Sequence, residues 1–427
     1  MGECGHNHIH VHATLEKKDD VAPAEQEISH TVTAPDRFPD LESGLPVAGT
    51  NLRHTYGKHS HIAELFRFEH GAFSVENGKF KNVMGEPSPD AVDLHGAKVI
   101  PGLLDIHTHG NSGADFCDGD YDGLVRMAMY QAANGITSFA PSSLTVPVDT
   151  LEKAYATAAR IVSDKPEKCA AVRGINMEGP FFCEAKKGAQ NAAYLLLPDY
   201  DVFKRLNENC GGLIKIVDIA PELPGAVEFI KRAAKDCTVS VAHTDCSYDD
   251  AVAAFDAGAT QLTHLYNAMP GIHHRKPGPI IAGCERDNVY AEIIGDGLHV
   301  HPASIRFAYR IFGAERMVLV SDSLRCCGLP DGEYDLGGLK AYLSGGVARL
   351  ADGTLAGSAT NVYECMLRVI SFGVPECDAI RSATYNPAHQ LGCLDVVGSI
   401  ADGKCADFVV CNDDLTRKAV YLAGEKI

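Results

Sequence analysis

Along most of the chain, short apolar runs alternate with amphipathic segments of helical spacing. Apolar runs bounded by turn residues are typical of buried strands, and the longer periodic segments are typical of helices. Strands are predicted over residues 103–109, 136–141, 172–178, 214–220, 238–243, 261–265, 290–294 and 317–321. Helices are predicted over residues 123–134, 150–162, 198–209, 225–235, 248–257 and 302–311. The chain therefore belongs to the α/β class.

This alternation predicts a (β/α)8 barrel of the TIM type instead of an open doubly wound sheet. Asp149 and Ser247 stand where helix N-caps are expected, and Gly258 and Gly313 stand where the chain turns after a helix. Residues 268–288 are rich in glycine and proline and predict a functional loop. In such a barrel the chemistry belongs at the C-terminal ends of the strands.

Both ends of the chain have a different pattern. Short alternating runs with turns at residues 77–78 and 402–403 predict hairpins over 61–100 and 395–427. We expect these two segments to form one small β-sandwich domain, with the barrel of residues 101–394 inserted between them. Residues 1–60 are acidic and proline-dotted, which predicts a mobile N-terminal extension.

Composition narrows the classes of partner and compartment. The 427 residues include 38 basic and 56 acidic side chains, for a net charge of -18, which argues against nucleic acid as a partner. The 15 cysteines are scattered without a Cys-x-x-Cys motif, and no apolar run predicts a signal peptide or a membrane span. A soluble cytoplasmic protein with reduced thiols and no membrane partner is predicted.

Candidate metal ligands stand at the ends of five predicted strands. Because alternate residues of a strand leave the same face, the two histidines at 107 and 109 point together. Each residue alone has an ordinary structural explanation, but their shared position at strand ends predicts one divalent metal centre. The predicted ligands are His107, His109, Glu178, His243, His264 and Asp322. They suffice for one or two ions, with zinc ahead of iron, manganese or cobalt.

This ligand set suits the hydrolysis of an amide. A divalent ion would polarise a carbonyl and activate a water molecule at neutral pH. Glu178 has an oxygen for each of two ions and is predicted to bridge them. Asp322 is predicted to be the catalytic residue that takes a proton from the water and delivers it to the departing amine.

Several motifs resemble those of the N-acetylglucosamine-6-phosphate deacetylases of the amidohydrolase superfamily. The resemblance extends from about residue 64 to the C-terminus. The specific motifs are Met-Glu-Gly-Pro-Phe-Phe at 177–182 and Thr-His-Leu-Tyr-Asn-Ala-Met at 263–269. Further matches lie at 107–109, 241–244, 295–300, 320–322, 355–358, 386–388 and 398–409. The resemblance implies hydrolysis of N-acetylglucosamine 6-phosphate to glucosamine 6-phosphate and acetate.

The resemblance also implies roles that spacing alone does not give. Asn267 and Ala268 would contact the sugar phosphate, and His299 would hold the sugar. Arg275 would bind phosphate, in this family typically from the neighbouring subunit of a homodimer, and a planar guanidinium suits a phosphate. Gln190 stands where some members have a substrate-contacting histidine. The pocket for the acetyl group of the substrate is therefore predicted to differ from the pocket in those members. The His-x-His pair favours two metal ions, because some relatives lack it and hold one.

Three alternatives remain open at this stage. In the first alternative the substrate is the galactosamine epimer, N-acetylgalactosamine 6-phosphate. In the second it is a cyclic amide. Relatives that act on cyclic amides typically carry a carboxylated lysine on the fourth strand, and Lys215 lies at the wrong end of that strand. A barrel that has lost catalysis and serves as a scaffold is the third alternative, although all six predicted ligands are present.

Overall fold

The computed structural model describes the backbone of residues 9–13 and the whole of residues 67–69, 71–87 and 91–427. The predicted fold class is confirmed: a (β/α)8 barrel carries a small β domain to which both chain ends contribute. In the described part of the chain, no helix has the length and apolar character needed to cross a membrane. All fourteen cysteines of that part have free thiols.

The strands and helices are numbered in chain order. The strands are β1 (Ile9–Ala13), β2 (Gly71–Glu76), β3 (Lys79–Lys81), β4 (Val92–Asp93), β5 (Lys98–Pro101), β6 (Leu103–Thr108), β7 (Gly110–Asn111), β8 (Ala114–Asp115), β9 (Ile136–Pro141), β10 (Ala171–Val172), β11 (Ile175–Met177), β12 (Ile214–Ile219), β13 (Thr238–Val241), β14 (Gln261–Leu262), β15 (Tyr290–Ile294), β16 (Met317–Val320), β17 (Gly332–Leu336), β18 (Leu339–Ser344), β19 (Val347–Leu350), β20 (Phe408–Cys411), β21 (Arg417–Leu422) and β22 (Glu425–Lys426). The α-helices are α1 (Tyr121–Ala133), α2 (Val148–Asp164), α3 (Tyr200–Asn209), α4 (Ala226–Ala233), α5 (Tyr248–Asp256), α6 (Gly278–Cys284), α7 (Pro302–Phe312), α8 (Val362–Ser371), α9 (Glu376–Ser382) and α10 (Tyr385–Gln390).

Eight parallel strands close the barrel. Strand β6 pairs with β9, and β11 to β16 pair in sequence order. Two isolated parallel bridges complete the ring, Ser142 to Asn176 and Thr108 to Ser323. Strands β6, β9 and β16 are buried along their whole length, because helices cover their outer faces. All eight C-terminal strand ends therefore meet at one rim.

The third predicted strand is interrupted. Its first part, β10, pairs with β9, and its second part, β11, pairs with β12. Gly174 lies between them, and a Cβ there would approach Lys215 Cγ to 2.5 Å. The chain therefore needs a glycine where it passes this lysine. The apolar run of residues 172–178 is divided between the two strands and does not form one continuous strand.

The predicted helix ends are partly right. Ser247 caps α5 and forms a capping box with Asp250, as predicted. The prediction for Asp149 is wrong, because α2 begins at Val148, two residues earlier than predicted, and Asp149 lies in its first turn. Gly313 ends α7 with φ of 77°. The predicted loop of residues 268–288 includes the short helix α6.

A three-stranded antiparallel sheet follows the eighth barrel strand, and the sequence analysis does not predict it. It consists of β17, β18 and β19. In β18 the side chains alternate between exposed and buried, which is typical of a sheet with one wet face. Leu336, Ala341 and Leu343 on its buried face join the main hydrophobic core.

The small domain packs two sheets against each other. One sheet has the order β3-β2-β1-β4, and the other has the order β22-β21-β20-β5, which joins strands from both chain ends. The Phe73 ring lies 5.1 Å from that of Phe80 and 5.2 Å from that of Phe408, edge to face in both pairs. Strand β1 lies within residues 1–60, for which the sequence predicts a mobile extension, and it pairs with β2 and β4. The rest of that extension lies outside the described residues.

Candidate active site

The predicted metal-binding residues stand at the rim of the barrel. His107 is in β6 and His109 directly follows it, Glu178 follows β11, and the others follow β13, β14 and β16. His243, His264 and Asp322 have φ angles of 43°, 30° and 48°. Non-glycine residues seldom adopt such angles, at a cost of about 1–3 kcal/mol each. Three left-handed residues at three strand ends indicate a site at which the fold holds the backbone under strain.

Glu178 lies at the centre of the cluster. Its Oε1 atom is 3.0 Å from His243 Nε2, 3.2 Å from His264 Nε2 and 3.4 Å from His107 Nε2. The Nε2 atoms of His243 and His264 are themselves 3.1 Å apart. Two ring nitrogens and a carboxylate oxygen thus converge on one point, and these three residues form the Glu178 group.

A second set of side chains adjoins the first. His109 Nε2 lies 3.2 Å from Asp322 Oδ1 and 3.3 Å from Glu178 Oε2. His107 Nε2 lies 3.7 Å from the same Asp322 oxygen. We call His107, His109 and Asp322 the His-x-His group. In each group the potential ligand atoms lie within 4.8 Å of one another, and Glu178 stands between the two.

Hydrogen bonds on the far side of the rings orient three of the four histidines. His107 Nδ1 lies 2.9 Å from Glu292 Oε2, His109 Nδ1 lies 3.2 Å from the Ser142 carbonyl, and His243 Nδ1 lies 2.9 Å from the Lys186 carbonyl. Each of these partners accepts, so each Nδ1 carries the hydrogen. The Nε2 atoms are then free to face the centre of the site as ligands.

Mutual charge stabilises the ionised carboxylates and the protonated histidines. Burial opposes ionisation, but the His107 charge and the histidine hydrogen bonds hold the pKa of Glu178 well below its ordinary value. Burial is likewise outweighed at Asp322, where the His109 hydrogen bond lowers the pKa. Glu292 and Glu178 raise the pKa of His107 well above its ordinary value against the effect of burial, and Asp322 and Glu178 raise the pKa of His109.

Gln190, Asn267 and Ala268 lie beside this cluster. Gln190 Nε2 donates to Glu178 Oε2 at 2.5 Å, and Gln190 Oε1 accepts from the Thr145 amide at 2.7 Å. Gln190 therefore holds the central carboxylate, while a substrate contact for it stays a prediction. The Asn267 side-chain amide donates to the His264 carbonyl at 3.1 Å and fixes the turn that follows that ligand. Ala268 has φ of 50° and accepts from the Thr244 amide.

The other two predicted substrate residues are placed differently. His299 bonds Asp296 Oδ2 through Nδ1 and the Ala356 carbonyl through Nε2, both at 2.7 Å. Burial lowers the pKa of His299, but Asp296 outweighs it and raises the pKa, so an imidazolium donating both hydrogens fits these contacts. Arg275 is on an exposed loop, where its guanidinium contacts His274 Nε2 at 2.7 Å. Within this chain Arg275 is not part of the cluster.

A family model described as the amidohydrolase family matches residues 98–427. The chain belongs to the amidohydrolase family. This amidohydrolase is 34% identical over 360 residues to the N-acetylglucosamine-6-phosphate deacetylase of Vibrio furnissii, covering 82% of this chain and 89% of the relative. It is also 34% identical over 343 residues to the N-acetylgalactosamine-6-phosphate deacetylase of Escherichia coli O157:H7, covering 80% of this chain and 90% of that relative.

A solved structure gives the same assignment. The crystal structure of N-acetyl-D-glucosamine-6-phosphate deacetylase from Mycobacterium smegmatis superposes on this amidohydrolase with a TM-score of 0.79 at 33% identity. The superposition covers 84% of this chain and 96% of the other. The two chains therefore share one fold over most of their length.

The donor set of this amidohydrolase fits one or two divalent cations. Imidazole nitrogen and carboxylate oxygen are the ligands that zinc and related ions bind. His107 Nε2 is buried, and among the described residues it lacks a hydrogen-bond partner. A buried polar atom without a partner is costly, and a cation beside it would remove that cost. The Glu178 group and the His-x-His group would each hold one ion.

Two buried acidic residues near the cluster are absent from the predicted site. Glu292 lies in β15 and Asp218 in β12, and both are fully buried. Burial, with the nearby charge of Glu292, raises the pKa of Asp218 well above its ordinary value. The signal in the sequence is an acidic residue inside a mostly apolar predicted strand, which is unusual for a core position.

Cation binding should release protons. In the cation-free protein, neighbouring carboxylates raise the pKa of His107 and of His109 and so favour their protonated forms, whereas a ligand nitrogen must be neutral. We expect about one to two protons released per chain at pH 7, and metal affinity that falls as the pH is lowered. Titration calorimetry in buffers of different ionisation enthalpy measures this release.

The exposed His95 provides the control for this titration. A His95→Gln variant should release the same number of protons as the wild type, because His95 lies outside the cluster. A binding enthalpy that is identical in all buffers would show that His107 and His109 lose no proton when the cation binds.

Proposed function

We propose that this amidohydrolase is a metal-dependent deacetylase that converts N-acetylglucosamine 6-phosphate and water to glucosamine 6-phosphate and acetate. The observation that carries the proposal is the convergence of Glu178 on four histidines at the barrel rim, with Asp322 beside them. Relatives that are about a third identical over most of the chain carry this activity in their names. The cluster supports metal-dependent hydrolysis, and the relatives support a phosphorylated amino sugar as the substrate.

Asp322 is the proton carrier in this proposal. Bound cations would supply a polarised carbonyl and an activated water. The lowered pKa of Asp322 leaves its carboxylate ionised at neutral pH, so it can accept a proton from the attacking water. It then returns that proton to the amide nitrogen as the carbon–nitrogen bond breaks. Glu178 holds both ligand groups together throughout.

The sugar would lie above the cluster, against the segment that follows β14. Asn267 and Ala268 would meet the sugar phosphate through a turn that their own hydrogen bonds already fix. His299 would hold a sugar hydroxyl, and for this it would exchange its bond to the Ala356 carbonyl for one to the substrate. Gln190 would border the acetyl group while it holds Glu178.

Arg275 is proposed to bind the phosphate in the active site of a partner copy, which makes the functional unit a homodimer. Residues 271–276 are exposed, and their His-His-Arg-Lys sequence is basic on an otherwise acidic chain. An exposed cationic loop can extend to a second copy, and the planar fork of arginine suits a phosphate.

Arg275→Ala should raise KM for the phosphorylated sugar about tenfold or more while kcat changes little, because phosphate binding is distant from the reacting amide. Steady-state acetate release measures both constants. Arg126→Ala, which removes an exposed arginine of α1, is the control and should leave KM unchanged. Equal KM values in wild type and Arg275→Ala would remove Arg275 from the phosphate site.

Zinc is the first candidate for the cation, with iron, manganese and cobalt as alternatives, because all accept a mixed nitrogen and oxygen donor set. Two ions per chain are proposed, one for each ligand group. A cytoplasmic location is also proposed, in keeping with the many free thiols of the chain.

An assay of acetate release by the purified, metal-loaded protein tests the function. N-acetylglucosamine 6-phosphate, the galactosamine epimer, unphosphorylated N-acetylglucosamine and a cyclic amide are compared at equal concentration. The highest kcat/KM is expected for N-acetylglucosamine 6-phosphate. Turnover of the cyclic amide with no acetate from either sugar phosphate would overturn the proposal.

The galactosamine epimer is the second candidate, because a relative named for that activity has the same 34% identity. A higher kcat/KM for this epimer in the same assay would reassign the substrate without changing the reaction. Equal rates on the unphosphorylated sugar would refute the role of the phosphate.

A further inference from the structure

Glu292 connects the two ligand groups beneath the rim. It is the third residue of β15 and is fully buried. Its Oε2 atom accepts from His107 Nδ1 at 2.9 Å and from the His264 backbone amide at 3.2 Å. Its Oε1 atom accepts from Gln261 Nε2 at 2.7 Å. One carboxylate therefore bonds a ligand side chain of the His-x-His group and the backbone of a ligand in the Glu178 group.

These contacts explain why an acidic residue is tolerated inside a barrel strand. Transfer of a carboxylate from water to the interior costs several kcal/mol unless hydrogen bonds and opposite charge replace its hydration. Three donors meet Glu292: the His107 ring, the His264 backbone amide and the Gln261 side-chain amide. An apolar side chain would fill the same space without this cost, so packing alone does not account for a glutamate here.

The orientation of His107 depends on this contact. A neutral imidazole has one N–H, and a strong acceptor beside Nδ1 keeps the hydrogen there. That tautomer leaves the lone pair on Nε2, the atom that faces Glu178 and Asp322. A carboxylate behind a ligand histidine also increases the basicity of the ring, and loss of such a partner typically weakens metal binding about 10–100-fold.

We propose that Glu292 is a positioning residue that fixes the tautomer and orientation of His107 and thereby sets the affinity of the His-x-His group for its cation. The inference rests on the proposed function, since it assumes the same metal centre. It predicts that the two cations respond differently to changes at residue 292. Glu292 bonds the side chain of His107, a ligand in the His-x-His group. In the Glu178 group it bonds only the backbone amide of His264, so the cation of that group should depend on Glu292 less.

Two substitutions separate the charge of Glu292 from its hydrogen bond. Glu292→Gln keeps an oxygen that can accept from His107 Nδ1 and can direct its amide to Gln261 Oε1, which is buried and unpartnered among the described residues. Glu292→Ala removes both the charge and the acceptor. Asp407→Asn, which alters another carboxylate that is largely shielded from solvent and hydrogen-bonded to a backbone amide, is the control.

The experiment is a zinc titration of the cation-free full chain in competition with a chromophoric chelator, with melting temperature as the test of folding. We expect the weaker of the two dissociation constants to rise roughly tenfold in Glu292→Gln and roughly a hundredfold in Glu292→Ala. The tighter constant should change less than about threefold. In Asp407→Asn both constants should equal those of the wild type.

A double-mutant cycle assigns the affected ion. His109→Ala disrupts the His-x-His group directly, and Glu292→Gln in that background should cause little further loss of zinc, because both changes act on one site. Long-range NMR spectra of ring nitrogens should show the Nδ1-protonated tautomer for His107 in the zinc-bound wild type and a changed population in Glu292→Ala.

Three results would overturn the inference. Unchanged zinc constants in both Glu292 variants would show that His107 needs no carboxylate behind it. Equal weakening of both ions together with a lower melting temperature would assign Glu292 a structural role only. A wild-type chain that binds a single zinc ion yet releases acetate would refute the inference and leave the deacetylase proposal standing. A chain that binds two zinc ions, with the expected effects at Glu292, and releases no acetate would refute the deacetylase proposal and leave the inference standing.

Discussion

Replacement of Asp322 by asparagine should lower kcat by at least about a thousandfold while the protein still binds metal. Asparagine has the same shape but cannot take a proton from water or give one to the leaving amine. The Glu178 group is unchanged in this variant, so at least one cation should remain bound. Metal content by mass spectrometry and the rate of acetate release together measure the effect.

Asp256→Asn is the control for this substitution, because Asp256 lies at the surface end of α5 in an ion pair with Arg286. It should retain the wild-type rate. A rate within about tenfold of wild type in Asp322→Asn would remove Asp322 from the proton transfer. Complete loss of metal in that variant would instead make Asp322 a required ligand, with its catalytic role secondary.

Glu178→Gln should have the second large effect: bound metal should fall below one ion per chain, and acetate release should fall by at least about a thousandfold. In the described part of the chain, Glu178 is the one carboxylate whose oxygens lie within 3.4 Å of all four clustered histidines. A neutral amide removes the charge that draws cations to these nitrogens and allows neighbouring protonated rings to repel each other. Inductively coupled plasma mass spectrometry after dialysis measures the metal content.

Glu184→Gln is the matched control, since Glu184 is exposed on a short 3-10 helix near the site. It should keep both the metal and the rate. A Glu178→Gln protein that binds two ions and turns over normally would show that the histidines alone hold the cations, and Glu178 would lose its central position in the site.

Much of the barrel could be predicted because its strands are buried on both faces. Such strands are continuous apolar runs, and β9, β15 and β16 begin as predicted. The convergence of the predicted ligands follows from the barrel itself. Its parallel strands all end at one rim, so polar residues that directly follow the apolar strands lie close together there. The left-handed φ angles of His243, His264 and Asp322 arise at these ends.

The supporting contacts could not be predicted in this way. Glu292 and Asp218 lie within apolar strands, and the direction of their side chains depends on barrel closure and register. His299 pairs with the carbonyl of Ala356 across a long separation in sequence. The amide of Gln190 bonds Glu178 through a loop whose path the pattern does not specify. The sheet of β17 to β19 was missed because its alternation is short and mostly polar.

The most direct test is the anomalous diffraction of crystals grown with zinc, recorded on both sides of the zinc absorption edge. We predict a peak at about 2.0–2.3 Å from an oxygen of Glu178 and the Nε2 atoms of His243 and His264. A second peak should lie at the same distance from the Nε2 atoms of His107 and His109. An ordered crystal in which Glu178, His243 and His264 lie too far apart to share an ion would contradict the account.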